Sequence, residues 1–199
     1  MRSEEQLKLA YDTHMEEFKF IREEINANIE SSRQTLTITL TAMGILIGAS
    51  PFIIDSRIPV LFLVASLPFY IISWVQVRYI FFQNNLGDYL EQNLIPNIRN
   101  SISNINPSAN FDVSYILGWQ SQWRKRYQSL LLLPATIAYF AVPLLAATLS
   151  LSAYFIFNTQ LQMPLTIIEY LLIGINIAFF LYSIILGFWT YRRFRPNRR

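Results

Sequence analysis

Reactive side chains are scarce in this chain. It has no cysteine and one histidine, His14. Disulfides, thiolate nucleophiles and Cys/His metal sites therefore have no residues to build them. The spacing offers no Gly-rich phosphate loop, no metal-ligand cluster and no paired intramembrane carboxylates. The expectation is a protein that is not an enzyme and needs no cofactor. The chemistry that remains is non-covalent, and three groups of residues carry it.

Threonines form the first group. Residues 34 to 54 read QTLTITLTAMGILIGASPFII. On a helix Thr35 and Thr39 share one face, while Thr37, Thr41, Gly44 and Gly48 share another at spacings of 4, 3 and 4. The two stripes lie about 160° apart. GILIG is a small-xxx-small motif, which lets helix backbones approach closely. One stripe is expected to pack within the subunit, with the other meeting a neighbouring subunit or lining a pore. The alternative is that both pack inside one four-helix bundle.

Glu169 and Asn176 form the second group. Glu169 is the one acid within an apolar run. It either contributes to a cation-selective outer mouth or sits at the membrane interface. Asn176 adds a polar group to the same segment and, with Glu169 and the threonine and glycine stripes, is a candidate for pore lining or packing.

The third group is Trp119, Trp123, Arg124, Lys125 and Arg126. Rings combined with cations could hold a lipid headgroup or another anionic ligand, an oligonucleotide included. They could equally anchor the end of a membrane helix.

These residues need elements to place them. Only 15% of residues are charged, against about 25% in soluble domains. Long uncharged gaps explain the difference. Residues 34–54, 58–77 and 127–168 carry no charge, and apolar character resumes after Glu169. A crossing helix needs about 20 residues, so the first two gaps hold one span each. The third gap, joined to the apolar stretch beyond Glu169, holds two. The Thr/Leu alternation at 35–41 resembles a strand, but barrel strands are only about 10 residues long. A helix is expected there too.

The fold class is therefore an all-α integral membrane protein with four transmembrane helices. Residues 1–33 form a cytoplasmic heptad helix and 34–82 hold spans 1 and 2. Residues 83–128 form a helical cytoplasmic segment, 129–191 hold spans 3 and 4, and 192–199 are a basic tail. FNTQLQMP should make the tight turn between spans 3 and 4. Pro68, Pro134 and Pro143 should kink their helices. Of the 16 Lys and Arg residues, all but Arg57 fall in the terminal and middle segments or, as Arg78 does, at the end of span 2 that leads into the middle one. This places both termini in the cytoplasm, in a multi-pass inner-membrane protein. Trp74 and Trp189 are expected at interfaces.

Leu7, Tyr11, His14, Phe18, Ile21 and Ile25 follow a 4,3 spacing, the seam of a coiled coil. Tyr11 through Ile25 are the expected oligomer seam, which should end before Asn28. His14 on it is read either as a packed interface residue or as a pH-sensitive one. In the middle segment, Tyr89, Leu90, Leu94, Ile95 and Ile98 stand at helical spacing.

The layout of YDTHMEEFKFIREEINANIESSRQTLTITLTAMGILIG followed by NNLGDYLEQNLIPNIRN resembles small prokaryotic membrane effectors of antiviral and nucleotide-signalling systems. SLATT-like proteins and Hailong-type four-span effectors are of this kind. The resemblance implies a homo-oligomeric channel or pore, held shut or opened through a nucleotide or oligonucleotide regulator. Its partners would be the lipid bilayer, further copies of itself with a tetramer as the working number, and such a regulator or a cytoplasmic protein. The competing reading is a membrane-anchored scaffold or sensor that recruits a partner and conducts nothing.

Overall fold

The charge gaps become helices. A computed structural model describes residues 4–105 and 132–194, and every regular element among them is helical. Helix α1 runs Glu4–Asp55 and α2 runs Val60–Tyr89. A π-helical turn, Leu90–Leu94, leads directly into α3, Ile95–Ile105. Helix α4 spans Leu132–Gln160 and α5 spans Ile167–Phe194. Four of these helices are long and apolar enough to cross a membrane, as expected of a multi-pass membrane protein.

Both interhelical turns use one device. Arg57 and Gln162 take positive φ, 55° and 49°. Around Arg57, Ile58 N–H donates to the Ile53 carbonyl and Arg57 N–H to that of Ile54, both at 3.0 Å. Around Gln162, Met163 N–H reaches the Asn158 carbonyl and Gln162 N–H that of Thr159. Each is a Schellman cap, and a proline that cannot continue the helix stands two residues later, Pro59 and Pro164. A non-glycine residue at this position costs about 1–2 kcal/mol. The caps satisfy carbonyls that the helix ends would otherwise leave open.

Proline affects these helices less than its reputation suggests. Helices α2 and α4 continue through Pro68 and Pro143. At Pro51 the missing N–H frees the Ile47 carbonyl, and Ser50 Oγ donates to it at 2.7 Å.

The described residues fall into two compact units, one drawn from 1–30 and 81–134 and the other from 31–80 and 135–199. In the first, Phe18 and Ile21 of α1 pack on Leu90, Leu94 and Ile98, with Tyr11, Met15, Ile25, Leu86 and Ile102 around them. The second holds the apolar portions of α1, α2, α4 and α5. At its turn end, Ile53, Phe62, Leu63 and Tyr154 form one cluster. Further along, Phe69, Tyr70, Ala146 and Ala147 form another. Of the four helices α2 is the most enclosed, while α1 and α5 are largely uncovered.

The π turn has a cause in the sequence. Leu86, Leu90, Leu94, Ile98 and Ile102 stand every fourth residue. On an α-helix each such step drifts about 40°, so Ile102 would lie about 160° from Leu86. A π turn, with about 4.4 residues per turn, takes back about 70° of that drift. All five side chains then reach the same cluster. Pro96 favours the wide turn as well, since its ring would clash with the Gln92 carbonyl in a regular helix.

Candidate functional site

Helix α2 is the hub of the four-helix unit, and it meets each neighbour through a polar contact. Toward α1, Ser32 Oγ donates to Gln76 Oε1 at 2.5 Å, and Gln76 Nε2 donates to the Ser32 carbonyl at 2.9 Å. Toward α4, Ser150 Oγ donates to the Phe62 carbonyl at 2.7 Å. Toward α5, Trp74 Nε1 donates to Ser183 Oγ at 2.8 Å. Ser183 in turn donates to the Phe179 carbonyl. Trp74 is an interhelical residue, its ring tilted against Phe179 and edge-on to Tyr182.

Asn176 is fully buried and both protons of its amide nitrogen are used. Its Nδ2 donates to the carbonyls of Leu63, at 3.2 Å, and Leu172, at 2.9 Å. Its Oδ1 faces the Ser66 hydroxyl at close range. Ser66 Oγ also lies 2.6 Å from the Leu63 carbonyl, and its single proton serves one acceptor at a time. Asn176 thus joins α5 to α2. Such interhelical bonds contribute about 0.6 kcal/mol each, up to about 1.7.

Among the described residues, the buried positions of α5 are Glu169, Asn176, Ser183 and Thr190. They stand seven residues apart and all are polar. An apolar helix with one polar seam at heptad spacing turns that seam inward and gives its remaining faces to hydrocarbon. Taken singly in the sequence, these residues look like scattered polar exceptions; their common interval is what unites them.

Glu169 is engaged as a helix cap. Thr166 N–H and Thr166 Oγ1 both donate to Glu169 Oε2 at 2.8 Å, and Glu169 N–H donates back to Thr166 Oγ1 at 3.3 Å. This is a capping box, T-x-x-E, at the start of α5. These contacts give the carboxylate a capping role at the start of α5.

Span 1 resolves the two threonine stripes. Thr39 is fully buried and Thr35 partly so, and their hydroxyls donate to the Thr35 and Ser31 carbonyls. They continue the face begun by Ser32. Thr37, Thr41, Gly44 and Gly48 are all exposed. A Cβ added at Gly44 or Gly48 would meet nothing within 4 Å. One stripe is therefore internal and the other lies open on the outside of the subunit.

Between α1, α2 and α4 runs a groove of about 290 Å³, lined by Met43, Ile47, Phe62, Leu149, Ala153 and Phe157 among others. Its two hydroxyls, Ser50 and Ser150, already donate to backbone carbonyls. Such a groove suits hydrocarbon, not a hydrated ion.

In the other unit, the heptad seam is occupied by the chain itself. Phe18 and Ile21 are buried, and Tyr11 and Ile25 partly buried, against the Leu86–Ile102 ladder. As an oligomer seam, these positions are not open in this arrangement. Nor does the buried face of α1 stop before Asn28. Ser32, Thr39 and Ile53 are buried in the same seven-residue register as Phe18. Asn28 Nδ2 donates to the Glu24 carbonyl of its own helix. His14 is partly buried, with Nδ1 3.9 Å from Glu17. Tyr89 and Ile95, grouped with the apolar positions by sequence, lie off the seam, and Tyr89 donates instead to Glu17 at 2.6 Å. Trp119, Trp123, Arg124, Lys125 and Arg126 lie outside the described residues.

No protein-family model, characterised protein or solved structure matches this chain.

Proposed function

We propose that the protein is a homo-oligomeric channel or pore of a prokaryotic inner membrane, with both termini in the cytoplasm. The observation that supports this is the exposed stripe of Thr37, Thr41, Gly44 and Gly48 on an otherwise apolar helix. Within the subunit, buried polar groups such as Gln76, Asn176 and Ser183 are already engaged between helices. The groove inside the subunit is apolar. A conducting path then belongs between subunits, with the outer stripe of α1 along it. Hydroxyls there contact water and ions without placing a fixed charge in the membrane. The glycines set how closely neighbouring helices pack.

Gating follows from differential binding. Helices α1 and α2 each contribute to both units. A regulator that binds one packing of the first unit more tightly shifts the equilibrium by that difference in affinity. The resemblance to nucleotide-signalling effectors suggests an anionic nucleotide or oligonucleotide, with Arg124, Lys125 and Arg126 as its candidate contacts. The test is ion flux from liposomes containing the purified full chain. Flux above that of empty vesicles is expected; vesicles that stay tight with and without added oligonucleotides favour the scaffold reading.

A further inference from the structure

The seam of α1 and the ladder that covers it have different periods. Tyr11, His14, Phe18, Ile21 and Ile25 repeat every 3.5 residues on average, the period two like helices share in a coiled coil. The covering ladder, Leu86 to Ile102, repeats every four. It stays aligned with the seam only because the helix opens into a π turn at Leu90–Leu94. The resident partner of a heptad seam is thus a helix that must distort to fit it.

We infer that the Leu86–Ile102 ladder is an autoinhibitory cover over the α1 seam, exchangeable for the same seam of a second copy. The heptad partner of residues 11–25 is residues 11–25 of another subunit, and the π turn is the hinge at which the cover leaves. Closing the π turn into a regular α-helix swings Ile98 and Ile102 off the seam by about 70°. Phe18 and Ile21 then lose their cover and pair between copies. The inference concerns assembly, and it stands whether or not the protein conducts.

The chain has no cysteine, so single cysteines report directly. Ile25→Cys reports pairing at the seam, and Glu23→Cys, which is exposed, reports contact elsewhere on α1. Two release variants are used, Pro96→Ala, which permits the α register, and Leu94→Asp, which undocks the ladder. Under mild oxidation of the full-length protein in native membranes, each release variant should raise disulfide dimer at Ile25→Cys about 5–30-fold. Dimer at Glu23→Cys should stay unchanged. Hydrogen exchange of Pro96→Ala should show residues 95–105 losing protection while 11–25 keep it, now covered by a second copy. Seam dimers that do not rise, or that rise equally at Glu23→Cys, overturn the inference. So does loss of protection over 11–25 together with 95–105, which would make the two segments halves of one obligate hairpin.

Discussion

Ser32 and Gln76 hold each other by two reciprocal hydrogen bonds, hydroxyl to amide oxygen at 2.5 Å and amide nitrogen to backbone carbonyl at 2.9 Å. Both residues are buried. The pair fixes which face of α1 turns inward: with Ser32 against α2, Thr35 and Thr39 follow it in, and Thr37 and Thr41 are left outside. Replacing Gln76 by Leu removes both bonds. The expected loss is about 1 kcal/mol, read as a lower midpoint of unfolding in mixed detergent micelles. Asn176→Leu should cost a similar amount or more, because it removes donors to Leu63 and Leu172 together.

Glu169 is predicted to be replaceable by an uncharged residue that still caps. Glutamine serves at this position of a capping box. Glu169→Gln should leave the reversal potential under a salt gradient at its wild-type value. Thr166→Val, which removes the capping hydroxyl, should cost about 1 kcal/mol of stability. A shifted reversal potential in Glu169→Gln would return the residue to the ion path.

Phe18 anchors the first unit through Leu90, Leu94 and Ile98. Truncation to Ala leaves a cavity worth about 3–5 kcal/mol. Limited proteolysis should then cut within residues 86–105 much faster than in wild type, while the apolar portions of α1, α2, α4 and α5 stay protected by lipid.

The basic cluster is tested by charge alone. Replacing Arg124, Lys125 and Arg126 with Gln should weaken binding of a short single-stranded oligonucleotide and flatten its salt dependence by about two units of log–log slope. An unchanged affinity and slope would assign the cluster to membrane anchoring.

The spans were legible because charge is excluded from hydrocarbon: the gap from Arg33 to Asp55 defines one crossing without any knowledge of neighbours. The pairing of stripes with environments was not legible. Thr35 and Thr37 look alike in sequence, and only Ser32 meeting Gln76, 44 residues away, decides which is internal. The seam at Phe18 and Ile21 was legible as apolar, but its partner was not, since a heptad in one chain does not say which helix answers it. Other signals are present in the sequence. The four-residue ladder at Leu86, Leu90, Leu94, Ile98 and Ile102 is visible by counting, and so is the polar heptad at Glu169, Asn176, Ser183 and Thr190. Reading Glu169 as a lone charge hid the threonine three residues before it. The turns at Arg57 and Gln162 lack the glycine that usually marks such caps; the polar FNTQLQMP with Pro164 marked the second, and the charges of Asp55 and Arg57 bounded the first.

The outer stripe of α1 is the centre of the account, and single-channel recording in planar bilayers tests it most directly. Two double variants are compared, each nearly preserving shape while removing two hydroxyls: Thr37→Val with Thr41→Val, and Thr35→Val with Thr39→Val. The first pair is predicted to change unitary conductance several-fold, because those hydroxyls lie on the open face. The second is predicted to conduct as wild type, because Thr39 is buried and Thr35 partly buried inside the subunit; Thr37 also bonds its own helix, at the Arg33 carbonyl, so exposure and not bonding separates the pairs. Wild-type conductance from both variants, or a change confined to Thr35 and Thr39, would contradict the account and remove the outer face of α1 from the conduction path.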